Sequence, residues 1–120
     1  KLKEVTYINS TSYPSGELKH GFLALVENGT YVFAFAGDSV SKIKTINSAS
    51  EASARGAIVV IVSNQRFEEA DETIFIDEQD DLLFAIRSIA PMQYLAYKVS
   101  ILKGINPDQP RNLAKSVTVE

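Results

Sequence analysis

The sequence predicts an α/β domain built on a mostly parallel sheet covered on both faces. Two segments, "TYVFAFAG" and "AIVVIVSN", are almost continuously apolar and rich in aromatic and β-branched residues, as strands buried on both faces are. Amphipathic helical stretches alternate with them, and strands in that pattern pair in parallel through right-handed crossovers. The length of 120 residues, with 45% apolar and 22% charged content, suits one core and one domain.

In chain order, "KLKEVTYINS" repeats Leu2, Val5 and Ile8 at helical spacing with no methionine and no capping residue before them. A helix entered midway is expected there, and with it a chain that is a piece of a longer polypeptide. Proline disfavours helical geometry in the residue before it, so this helix is expected to end before Pro14, where "SYPSG" supplies turn chemistry. "GELKHG" reads as a glycine-bracketed polar turn and "FLALVENG" as a brief apolar helix. After the first strand, Asp38 or Ser39 can cap a helix that carries Val40, Ile43 and Ile46 on one face and closes at Gly56. The second strand follows at once, and the polar loop "NQRFEEAD" leads to a shorter third strand in "ETIFIDE". The last helical region opens on Asp80 and Asp81 and closes on Lys98 and Lys103 before Gly104, in keeping with the helix dipole. Pro91 is expected to break or kink it, while Met92, Leu95, Ala96, Val99 and Leu102 continue an apolar core stripe.

Composition excludes several kinds of chemistry. A net charge of -3 with scattered lysines leaves no footprint for nucleic acid or for an anionic membrane. The absence of cysteine rules out disulfides, thiolate metal sites and thiol nucleophiles, and fits a reducing cytoplasm. A single histidine rules out a histidine-rich metal site. No apolar run approaches the roughly 20 residues of a membrane span. Neither a dinucleotide glycine fingerprint nor a phosphate-binding glycine and lysine motif is present.

Three places carry groups suited to proton transfer. Lys1 and Glu4 are three apart on the first helix and so share a face, where a surface ion pair is the plainer reading. His20 sits in a loop between glycines, free to approach a ligand or simply to be solvated. Lys115 precedes the alternation Val117, Thr118, Val119; in a partly dry setting its amine would lose its proton readily and could attack a carbonyl. The strand ends "AGDS" and "VSNQ" lie where ligands sit in parallel sheets and could hold a sugar or phosphate.

Beyond these patterns, "KLKE", "SGELKHG", "LAL" and above all the ending "DQPRNLAKSVTVE" resemble the isomerase end of the glutamine:fructose-6-phosphate amidotransferases, the glucosamine-6-phosphate synthase family. The resemblance implies a three-layer αβα, flavodoxin-like fold. It identifies residues 1–120 as most of the second sugar isomerase (SIS) domain without its first strand, with 105–120 as the C-terminal tail. By resemblance, Glu4 is the base that moves a proton between C1 and C2, Lys1 lies beside it, and His20 opens the sugar ring in the neighbouring subunit of a homodimer. Lys115 forms a Schiff base with open-chain fructose 6-phosphate, Ala114 contacts the sugar through its backbone, and the tail covers the site. The partners so implied are fructose 6-phosphate, glucosamine 6-phosphate, and the glutaminase and first SIS domains of a cytoplasmic enzyme; no cofactor is implied. The isolated chain is expected to be inactive, and a non-catalytic sugar-phosphate-binding or dimerisation module is the alternative. Phe22 departs from the family's usual proline, which presets a first helical turn, so a looser entry to the helix after His20 is expected.

Overall fold

The computed structural model describes residues 1–111. They form two compact units, one made of Lys1–Thr11 with the chain from Ile89 onward, the other of Ser12–Ser88.

The Ser12–Ser88 unit holds the sheet. Strands β1 (Tyr31–Phe35), β2 (Ile58–Ser63) and β3 (Glu72–Phe75) lie in the order β1-β2-β3, all parallel. The register pairs Tyr31 with Ile58 and Phe35 with Val62 on one side, and Val60 with Glu72 and Ser63 with Phe75 on the other. The apolar runs predicted two buried strands, and β2 is one, with Val59, Ile61 and Val62 fully buried, whereas β1, at the edge of the described sheet, leaves Tyr31 and Phe35 exposed. Helix α2 (Lys42–Ser53) makes the crossover from β1 to β2. Between β2 and β3 the chain returns without a helix, and Asp71 steers it: its backbone amide donates to the Val59 carbonyl at 3.0 Å and its carboxylate accepts the Val59 amide at 2.7 Å.

The buried face of α2 differs from the expected one. Ile46 is buried with Thr45, Ser48, Ala49 and Ala52, whereas Val40 and Ile43 are 89% and 76% exposed. The cause is local. The Asp38 carboxylate accepts the Val40 and Ser41 amides, both at 2.8 Å, and the Ser41 hydroxyl, which keeps Val40 in a turn and starts the helix only at Lys42. The small side chains of Ala49 and Ala52 then join Leu23, Ala34, Ala36, Ala57, Val59 and Ile61 in one core. Past the helix end, Gly56 has φ 92°, as its predicted closing role requires.

In the other unit, α1 is a single short helix, Leu2–Thr6, which ends far sooner than Pro14. The Thr6 hydroxyl donates back to the Leu2 carbonyl at 2.7 Å and accepts the Ile8 amide at 3.2 Å, so the chain leaves the helix at once. Ile8 therefore lies outside the helix, not on its stripe.

Helix α3 (Asp81–Leu102) continues through Pro91, where a break or kink was expected. Proline leaves the Arg87 carbonyl without its usual donor, yet Ala96 and Ser100 beyond it are buried and hold the continued helix. The apolar stripe ends before Leu102, which is 85% exposed. Ser100 takes the inward place instead: its hydroxyl donates to the Ile105 carbonyl at 2.9 Å, and the Ile105 amide donates back to the Ser100 carbonyl at 3.0 Å. Among the described residues, no helix is long and apolar enough to cross a membrane.

Gly37, just after β1, is buried, and a β-carbon there would fall on the ring of buried Phe84. Gly37→Ala is therefore expected to lower the unfolding free energy by ~1–3 kcal/mol in chemical denaturation. An unchanged midpoint would mean that the ring does not occupy that space.

Candidate functional site

Lys1 and Glu4 stand on one face of the first helix, as the spacing of three requires. The Lys1 ammonium donates to both carboxylate oxygens of Glu4, at 2.8 and 2.9 Å. The pair is asymmetric: the Glu4 side chain is 29% exposed and the Lys1 side chain 62%. The hydrogen bond from Lys1 holds the Glu4 carboxyl below its ordinary pKa; desolvation opposes this and the charge of Lys1 adds to it. Glu4 is thus ionised at neutral pH and able to accept a proton.

A five-residue helix cannot hold that carboxylate still by itself, since isolated helices shorter than ~12–15 residues are marginal in water. Burial of Val5 and Thr6 anchors it, and the Lys103 ammonium donates to the Thr6 carbonyl at 2.6 Å. Lys103, expected to serve the end of α3, thus caps the carbonyl end of α1. Beside Lys1 and Val5 opens a cleft of about 210 Å³, completed by Gln93, Ala96, Tyr97 and Pro107.

His20 belongs to the Ser12–Ser88 unit and is exposed at the end of a 3-10 helix, Ser15–His20. That turn is fastened to α2 at two points: the Ser48 hydroxyl donates to the Ser15 carbonyl at 3.0 Å, and Lys19 pairs with Glu51 at 2.8 Å. Leu18 packs inward against the core, which leaves the imidazole outside. Gly21 next to it has φ 149° and ψ −44°, a backbone state that side chains disfavour, so the sharp turn after His20 needs glycine. The following segment is a 3-10 helix, Phe22–Leu25. The Phe22 ring lies 5.3 Å from the Tyr13 ring at 39°, so Phe22 packs against the start of this turn.

The carboxyl ends of β1 and β2 form a closed polar network. The Ser63 hydroxyl donates to the Ala36 carbonyl at 2.6 Å, Lys42 donates to the Asn64 side-chain oxygen at 2.9 Å, and Asn64 donates to the Glu78 carbonyl at 2.8 Å. Ser39 donates to the Asp81 carboxylate through its amide at 3.2 Å and its hydroxyl at 2.9 Å. The adjoining cleft is lined by Asp38 and Asp81 with Phe35, Gly37, Phe84 and Ser88. Two carboxylates repel a phosphate, and the small polar side chains of "AGDS" and "VSNQ" already serve one another. The strand ends thus brace the fold.

Lys115 and Ala114 lie outside the described residues, as does the tail beyond Arg111. The first unit therefore brings Lys1 and Glu4 together, and the second presents His20. Sequence reasoning missed Thr6, Tyr7, Lys103 and Arg111, which fasten α1 to the chain after α3. No periodicity marks them, because their contacts join residues about a hundred positions apart.

Residues 1–103 match the SIS domain family. The chain is 46% identical over 125 residues to the glutamine–fructose-6-phosphate aminotransferase (isomerizing) of Methanothermobacter thermautotrophicus, covering all of this chain and 21% of that protein. It is 44% identical to the enzyme of the same name from Clostridium acetobutylicum, covering all of this chain and 20% of that one. The chain thus spans about a fifth of the length of the curated relatives it matches. A solved structure, the C-terminal domain of glucosamine-fructose-6-phosphate aminotransferase from Francisella tularensis, superposes with a TM-score of 0.81 at 33% identity, covering 90% of this chain and 32% of that one. The resemblance read from the terminal motifs and the α/β fold class both agree with these matches.

The Asp38 carboxyl is held below its ordinary pKa by the Ser41 hydroxyl first, then by the Ser41 amide, with burial opposing and the Val40 amide adding to it. A lowered folded-state value means stabilisation that is complete above the unfolded-state value and is lost as the pH falls through the folded one. Asp38→Asn is expected to flatten this part of the acid limb when denaturation midpoints are followed against pH. Parallel acid limbs in the two proteins would contradict the assignment.

Proposed function

Because the chain belongs to the SIS domain family, we propose that residues 1–120 are the second sugar isomerase domain of a glutamine:fructose-6-phosphate aminotransferase. The enzyme would make glucosamine 6-phosphate from fructose 6-phosphate and glutamine-derived ammonia in the cytoplasm, as a homodimer. The observation that carries this reading is the similarity to such aminotransferases along the whole chain, with an ionised Glu4 held on one turn of helix by Lys1.

The chemistry follows from the groups. His20 shuttles a proton between the anomeric hydroxyl and the ring oxygen as the sugar opens. The neutral Lys115 amine adds to the C2 carbonyl, water leaves, and an imine forms; Ala114 contacts the sugar through its backbone. Ammonia then adds to that imine and the lysine amine leaves, so nitrogen stays on C2. Glu4 takes a proton from C1, the electron pair moves into the C1–C2 bond, and C2 receives a proton as the C1 hydroxyl becomes an aldehyde. One ammonia enters and one water leaves, with no change in total electron count.

Glu4 accepts a proton weakly, because Lys1 stabilises its charged form. An imine is a better electron sink than a ketone, so the neighbouring proton is more acidic and a carboxylate of modest basicity suffices. The Lys1 ammonium also stays beside the carboxylate to stabilise it whenever it is charged. His20, exposed at a turn fixed to α2, suits a group that serves the active site of another subunit.

In the full-length enzyme carrying this chain, Glu4→Gln and Lys115→Ala are each expected to lower glucosamine 6-phosphate formation ~10²–10⁴-fold. Unchanged rates in both variants would remove the catalytic assignment. Lys1→Met takes away the main cause of the lowered Glu4 pKa, so the acid limb of kcat/KM should move to higher pH. An acid limb that stays in place would show that Glu4 is not the group it reports.

A further inference from the structure

Resting on that reading of Glu4 and Lys115, we infer that Tyr7 is a positioning residue: with Arg111 it ties the start of the C-terminal tail to the helix that carries Glu4.

The first sign is conformational. Tyr7 is the only non-glycine residue with positive φ among those described, at φ 60° and ψ 18°, and it closes α1 with its amide donating to the Lys3 carbonyl at 3.2 Å. This left-handed state crowds the β-carbon of any ordinary side chain, and glycine or asparagine fits it better. A bulky tyrosine kept in such a position calls for an interaction that only its side chain makes.

That interaction is visible at both ends of the side chain, and both ends meet the same residue. The Tyr7 hydroxyl oxygen accepts the Arg111 backbone amide at 2.7 Å, and the Arg111 guanidinium lies 4.1 Å from the centre of the Tyr7 ring. Hydrogen bonding and stacking therefore hold one point of the chain against the end of α1. The surroundings reinforce it: Lys103 holds the Thr6 carbonyl, and Ser100 and Ile105 lock the turn that follows α3. The path from Leu102 to Arg111 is thus fixed to α1 at both its ends.

The consequence concerns distance. Glu4 precedes Tyr7 by three residues, and Lys115 follows Arg111 by four. Four residues of fully extended chain span at most ~14 Å, so the Lys115 backbone stays within that reach of Arg111, which is itself fixed on the Tyr7 side chain at the end of the helix that carries the base. Without the tie the amine would search a larger volume, and its effective concentration at the sugar carbonyl would fall.

The two halves of the contact can be removed separately. Tyr7→Phe loses the hydroxyl acceptor but keeps the stacked ring, while Arg111→Ala loses the stacking cation but keeps the backbone donor. In the full-length enzyme, borohydride reduction in the presence of fructose 6-phosphate traps the Lys115 imine as a stable amine, located and timed by mass spectrometry. Each variant is expected to slow trapping three- to tenfold and to lower kcat in step, with little change in KM. The double variant should lose less than the product of the two single losses, because both act on one contact, and Arg111→Lys should recover part of the rate. Unchanged trapping rates in both single variants, or a loss of thermal stability alone, would overturn the role of Tyr7 while leaving Lys115 as the nucleophile. Absence of trapping at Lys115 in the unmodified enzyme would overturn the catalytic reading itself and the tie with it.

Discussion

Two-sided burial of β2 is the constraint on which the sheet-bearing unit depends. Val59, Ile61 and Val62 are fully removed from water, and each such side chain is worth roughly 1.5–3 kcal/mol when buried. A strand covered on both faces has to be central and paired along both edges, which sets the register of β1 and β3 and brings the small face of α2 down onto the core. The same constraint shapes the carboxyl end of the sheet. Ser63 and Asn64 leave β2 already buried, so their polar atoms must find partners inside the protein, and they do so with Ala36, Lys42 and Glu78. A place where parallel sheets often bind ligands is here spent on closing the fold.

The groups proposed for the chemistry sit on elements too short to stand alone. Glu4 rides on five residues of helix and His20 on a six-residue 3-10 turn. Each is held by contacts distant in sequence: Lys103 on the Thr6 carbonyl in one case, Ser48 and Glu51 on Ser15 and Lys19 in the other. This arrangement separates two demands. The core supplies stability through apolar area, while Glu4 and His20 stay partly or fully exposed on segments held by a few polar contacts. It also explains the Lys1 pair, which keeps a partly exposed carboxylate charged and oriented at the expense of its basicity.

Much of this was legible in the chain itself. Continuous apolar runs marked β1 and β2, Gly56 marked the end of α2, and the spacing of Lys1 and Glu4 put them on one face. The terminal motifs pointed to the family. The misreadings share one physical cause, since local pattern does not report contacts made across the chain. Val40 and Ile43 fit a helical stripe, but the Asp38 turn delays the helix and turns them outward. Pro91 is a helix breaker by its own chemistry, yet burial of Ala96 and Ser100 carries α3 past it. Tyr7 looked like one more residue of an amphipathic helix, and only its backbone state and its contact with Arg111 reveal it. Of the candidate site, Lys1, Glu4 and His20 were singled out by residue type and motif, whereas the residues that hold their segments in place were not.

The central claim is that Glu4 moves the proton at C1. Its most direct measurement is deuterium entry at C1 of fructose 6-phosphate, followed by NMR in heavy water with the full-length enzyme carrying this chain and ammonia supplied. Exchange at C1 should be rapid in the unmodified enzyme and absent in Glu4→Gln, while the imine at Lys115 still forms in both. Undiminished exchange in Glu4→Gln would contradict the account, because some other group would then be the base.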